Sequence, residues 1–155
     1  MSEFKNLLLA RQLAEQRRDE AAAVASQVQR EQNFALAQMD QLESYARETQ
    51  GRWQTSAQLG AAPELLRHHY QFMGRLDQAI EMQRSAMQRL HERALVARQS
   101  LVDAEVYLGG IERVLKNRQA QALVVARRRD QKQMDEFAAM QTQRKLAQHH
   151  IEELS

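Results

Sequence analysis

The chain has no cysteine, one proline and five glycines in 155 residues, and aromatics make up only 5%. Without cysteine there is no disulfide framework and no thiol chemistry, and a reducing compartment is permitted. So few aromatics cannot fill a thick globular core, whereas a thin seam between helices needs few. No apolar run approaches the roughly 18 residues that would span a bilayer. The start, Met1-Ser2-Glu3-Phe4-Lys5, lacks the basic region, apolar core and small-residue cleavage site of a signal peptide. A cytoplasmic protein is therefore expected. The formal net charge of +2 is too small to imply nucleic-acid binding by itself. What is abundant is Ala, Gln, Arg, Glu and Leu, with 27% charged residues, the bias of long helices and coiled coils.

The organising feature is a heptad seam. Steps of seven from Leu66 meet Met73, Ile80, Met87, Ala94, Leu101, Leu108, Leu115 and Ala122 without a polar interruption. The line offset by three holds His69, Leu76, Gln83, Leu90, Ala97, Ala104, Ile111, Arg118 and Val125. Such a repeat makes a helix supercoil against another helix. Nearer the N-terminus, steps of seven from Leu7 give Ala14, Ala21, Val28, Ala35, Leu42 and Thr49. Their offset positions, Ala10, Arg17, Val24, Glu31, Gln38 and Tyr45, are only half apolar, and from Met39 a register through Ala46 and Trp53 competes.

Gln50 to Pro63 is the clear break, with Gly51 and Gly60 suited to left-handed backbone and Pro63 to the first turn of a helix. The expectation is an all-α fold in which two long helices form an antiparallel coiled-coil hairpin, with helix 3–50, loop 51–62 and helix 63–149. Ser2 and Glu3 suit the start of the first helix. At 1.5 Å per residue the helices would be roughly 70 Å and 130 Å long, so the second overhangs the first. A turn centred near residue 57 sets the start of the first helix level with about residue 110, where the sequence reads Gly109-Gly110. That pair suits either close helix packing or a bend where the two-helix part ends. Beyond it the apolar stripe continues without an expected partner. From Arg113 to Lys132 seven basic residues face one acid, Asp130. A partner with an apolar, acidic surface would fit this stretch.

No phosphate loop, nucleophile elbow or metal-ligand spacing is present. The adjacent pairs His68-His69 and His149-His150 splay apart on a helix instead of converging on a metal. Met73 and Met87 at heptad spacing fit a core, and Arg127-Arg128-Arg129 lacks the interleaved aromatics of a nucleic-acid site. Neither an enzyme nor a cofactor is expected.

The tail stretch Asp130-Gln131-Lys132-Gln133-Met134-Asp135-Glu136-Phe137-Ala138 resembles the tail motif of the FliJ family of the bacterial flagellar type III export apparatus. Gln38-x-x-x-Leu42-x-x-Tyr45 and Tyr70-Gln71-Phe72-x-x-x-Leu76-x-x-Ala79-Ile80 extend the resemblance over nearly the whole chain. The resemblance implies a coiled coil similar to the stalk subunit of rotary ATPases. Its implied partners are the hexameric export ATPase, whose assembly it promotes, the export gate FlhA, and export chaperones. A place at the inner face of the cell membrane, at the flagellar base, follows from those partners. Carried over residue by residue, the gate-binding positions are Gln38, Leu42, Tyr45, Phe72, Leu76 and Ala79. Where the family pattern completes that patch with Tyr and His, this chain has Thr49 and Gln83. The heptad register sets Leu42 and Leu76 on the seam and leaves Phe72 as the exposed anchor. The basic overhang would meet the ATPase, with Leu115, Arg118, Arg127, Arg128, Arg129 and the N-terminal turn as contacts. The alternatives are the equivalent stalk of a virulence-type secretion system and a coiled-coil scaffold without an export role, whose overhang pairs with another copy.

Overall fold

The computed structural model describes residues 2–155. They form α1 (Ser2–Gln58) and α2 (Pro63–Leu154), joined by the short connection 59–62. The described residues contain no strand, and the expected all-α hairpin of two long helices is what they build. By packing, the chain divides into two units. One is Leu13–Leu108; the other combines α1 up to Gln12 with Gly109–Ser155.

In the unit Leu13–Leu108 the seam of α2 lies where the heptads set it. Leu66, Met73, Ile80, Met87, Ala94, Leu101 and Leu108 are buried or half-buried, as are His69, Leu76, Gln83, Leu90, Ala97 and Ala104. In α1 the first line of the expected seam is found too, through Ala14, Ala21, Val28, Ala35, Leu42 and Thr49. Its second line differs. Arg18, Ala25, Gln32, Met39, Ala46 and Trp53 are buried or half-buried, while Arg17, Val24, Gln38 and Tyr45 are exposed. The register that competes from Met39 thus extends back through α1, and long polar side chains such as Arg18 and Gln32 lay their stems along the seam. The core is thin. Val28, Ala94 and Ala97 form its buried cluster, with Ala25 packed against it, and these small side chains let the helix backbones approach closely.

The connection also differs from expectation. α1 does not end at residue 50 but passes through Gly51 to Gln58. A helical glycine costs about 1 kcal/mol relative to Ala. Packing beyond it offsets that cost: the Trp53 ring stacks on His69, with centroids 4.3 Å apart and planes at 11°. Gly60, at φ 87°, makes the left-handed step that lets the chain reverse. The N–H groups of Leu59 and Gly60 close the last turn on the carbonyls of Ser56 and Ala57, at 3.1 and 3.2 Å. Gln50 therefore faces His69, and Ala35 faces Gln83.

The later reversal corrects the expected end of the paired region. In the unit that holds the start of α1, Glu3 meets Arg118, so pairing runs past Gly109-Gly110 instead of stopping there. Every residue from Lys116 to Ser155 is exposed, and α2 continues as helix to Leu154. A methyl group added at Gly109 or Gly110 would meet nothing within 4 Å. Close helix packing is therefore not the reason for the glycines.

Two outcomes follow for stability. Gly109→Ala and Gly110→Ala should each raise it by about 1 kcal/mol, seen as a higher midpoint in denaturant melts followed by circular dichroism. A lowered midpoint would show that glycine is required there. Ala97→Leu, at a buried position 6% exposed, should lower stability by about 1–3 kcal/mol through overpacking. The exposed Gln99→Leu in the same assay should leave it nearly unchanged.

Candidate protein-binding surfaces

The six positions carried over for gate binding lie in the unit Leu13–Leu108, and its helix register brings them to one flank of the hairpin. Tyr45, from the α1 line that expectation had turned inward, is 50% exposed. Phe72 on α2 is 37% exposed. The rings meet edge to face, with centroids 6.0 Å apart and planes at 83°, a favourable arrangement for aromatic quadrupoles. Ala79 and Leu42 are half-buried, and Leu76 is buried. Leu42 and Leu76 therefore belong to the seam, while Tyr45 and Phe72 present the apolar surface beside it.

Gln38 is also exposed, but it is not loose. The Gln83 side-chain amide donates to the Ala35 carbonyl at 2.9 Å and to Gln38 Oε1 at 3.3 Å. Gln83, which departs from the family pattern, thus occupies a polar layer of the seam and orients Gln38. A heptad position filled by Gln is the signal for such a layer. Among the described residues no buried side-chain N or O atom lacks a partner.

Sequence reasoning did not identify the cluster near the connection 59–62. His69 is buried, stacks on Trp53, and lies 3.3 Å from Gln50 Oε1 through its Nε2. The signal for it was the placement of His69 on a seam position. His68 beside it is exposed, so the pair does splay apart. No group of three or more His, Asp or Glu among the described residues could hold a metal ion.

The positions expected to meet the ATPase lie in the other unit, and they divide into three kinds. Leu115 is 4% exposed, so it is part of the packing and presents no surface. Arg118 is held by Glu3: Nη1 donates to Oε2 at 3.0 Å and Nη2 to Oε1 at 3.4 Å. Arg127, Arg128 and Arg129 are exposed. Among the described residues none of the three has an ion-pair partner. The apolar side chains available near them are Leu123, Val124 and Val125, each close to half exposed.

No helix of the described residues is long and apolar enough to cross a membrane. A family model described as the flagellar FliJ protein matches residues 4–147. A curated relative of that name from Salmonella typhi is 28% identical over 145 residues, covering 94% of this chain and 99% of the relative. The match takes in α1 almost whole and α2 as far as Ala147, so it includes the Tyr45–Phe72 flank and the basic continuation alike. The chain belongs to the flagellar FliJ family.

Proposed function

We propose that the chain is a stalk component of the flagellar type III export apparatus. On this reading it promotes assembly of the export ATPase hexamer, engages the export gate FlhA and binds export chaperones. It works from the cytoplasm at the inner face of the membrane at the flagellar base. The observation that carries the reading is the bare continuation of α2. After the Glu3–Arg118 pair, a helix goes on to Leu154 with every side chain exposed. Its first part is basic and studded with apolar side chains, a combination that folding alone does not explain. A helical pair with one free, charged end suits insertion into a ring of subunits, and positive charge there steers approach to an acidic partner.

The gate contact is assigned to the flank carrying Gln38, Tyr45, Phe72 and Ala79. Leu42 and Leu76 act mainly by holding the two helices together. Leu76→Ala would remove a buried Leu and cost about 2–5 kcal/mol of stability, so lost binding there would say little about contact. Phe72→Ala is diagnostic, because the ring stands beside the seam. It should weaken binding to the soluble part of the gate about tenfold, or about 1.4 kcal/mol, with unchanged helicity. Binding equal to that of the wild type would remove Phe72 from the contact.

For the ATPase contact, a chain ending at Lys116 should keep the hairpin, because an exposed ion pair such as Glu3–Arg118 is worth only about 0–1 kcal/mol. Co-purification with the export ATPase, hexamer formation and stimulation of ATP turnover should all be lost. Retention of all three by the shortened chain would overturn the reading for this end.

A further inference from the structure

The apolar contact expected at Leu115 is unavailable because that side chain is buried. A different apolar surface lies in the same unit. Phe4, Leu7 and Leu8 of α1 and Ala122, Leu123 and Ala126 of α2 line a cleft of about 990 Å³. Its size is at the upper end of ordinary ligand pockets. Phe4 is 38% and Leu123 54% exposed, so the floor is incompletely covered. The cleft lies between the first described turns of α1 and the stretch of α2 from Arg118 to Ala126.

The charge left unpaired on its rim is positive. Glu3 and Arg118 neutralise each other there. Lys5 also lines the cleft. Arg127, four residues after Leu123, shares that side chain's helix face. Among the described residues neither Lys5 nor Arg127 has an ion-pair partner.

We infer that this cleft is the seat of an acidic, amphipathic segment of a partner protein, with apolar side chains on Phe4, Leu8 and Leu123 and carboxylates on Lys5 and Arg127. The inference rests on the stalk reading, in which the partner is the export ATPase, and it replaces Leu115 as the apolar anchor. A second copy of the chain does not fit. A two-fold contact would set the same basic rims face to face, and like charges brought together repel. Nucleic acid does not fit either, since Phe4 alone could stack on a base.

The absence of cysteine gives a direct probe. A full-length Leu123→Cys chain carries one thiol, to which an environment-sensitive fluorophore can be attached. Purified export ATPase should shift its emission to the blue, saturably, and less so as ionic strength rises. Three unlabelled full-length chains complete the test: Phe4→Ala with Leu123→Ala, the Glu replacement of Arg127, Arg128 and Arg129 together, and Leu95→Ala as an exposed apolar control in the unit Leu13–Leu108. The first should weaken ATPase binding about tenfold or more, the second more strongly, and the third not at all, with equal helicity throughout. If the Phe4, Leu123 chain binds like the wild type while the arginine replacement fails, the cleft is overturned and the stalk reading stands. If neither affects binding, the stalk reading falls at this end and takes the cleft with it. Equal losses from Leu95→Ala would overturn the cleft as the specific seat.

Discussion

The fold depends on one constraint: two narrow lines of side chains must stay in register along a seam with almost no depth. Alanine fills much of it, at Ala14, Ala21, Ala25, Ala35, Ala46, Ala94, Ala97 and Ala104. An alanine seam gains little from burial per residue, at roughly 25 cal/mol per Å² of apolar surface, so stability accumulates over many short contacts. It also discriminates poorly between registers, because one small apolar layer resembles the next. The polar layers supply what alanine cannot. Gln83 satisfies its amide on the Ala35 carbonyl only in the observed register, and a slip would strand it in the seam. His69 with Trp53 and Gln50 does the same near the connection. Glu31–Arg93 and Gln29–Arg98 add exposed ties of lesser weight on the flanks.

How much of this was legible depended on what each residue had to compete with. From Leu66 to Leu108 the α2 seam was legible, because an uninterrupted step of seven has no rival register. In α1 the second line was misplaced because Val24 and Tyr45 look more apolar than Arg18 and Gln32. In a two-helix seam, however, a residue's side is set by its angle from the first line, and a long polar stem can follow the groove while its head reaches water. The position of the turn was misjudged at Gly51. Glycine lowers helix propensity, yet propensity is a weak prior against a Trp two residues on that stacks on His69 of α2. That single error moved the expected partner of the α1 start from near residue 110 to Arg118, and it is why Leu115 looked exposed. Which side chains cover it is a property of pairing, which periodicity alone does not contain.

On the gate contact proposed above, the same seam accounts for the mixing of structural and binding positions on the Tyr45–Phe72 flank. A helix pair has no interior to spare, so a partner's footprint inevitably borders the lines that hold the pair together. Leu42 and Leu76 lie on those lines; Tyr45 and Phe72 stand one position to the side. Gln38 belongs to both, since its carbonyl oxygen is tethered by a seam residue. Substitutions across such a patch separate only when exposure is considered with identity. An aromatic pair already packed edge to face also loses little side-chain freedom on meeting a partner.

Past Leu115 the constraint relaxes, and the sequence changes accordingly. The step of seven still gives Ala122, but then Arg129, and the offset line gives Arg118, Val125 and Lys132. A seam that continued to select a helical partner of its own kind would keep apolar residues at these places. Cations there penalise pairing with a second copy, whose seam would bring the same charges to the same layers. The apolar side chains meanwhile spread around the helix at Leu123, Val124 and Val125 instead of keeping to one line. A stripe that broadens while its seam positions turn basic no longer describes a two-stranded coiled coil. It is the pattern the proposed stalk reading requires, in which a ring of subunits would meet the helix from several sides with surfaces both apolar and acidic.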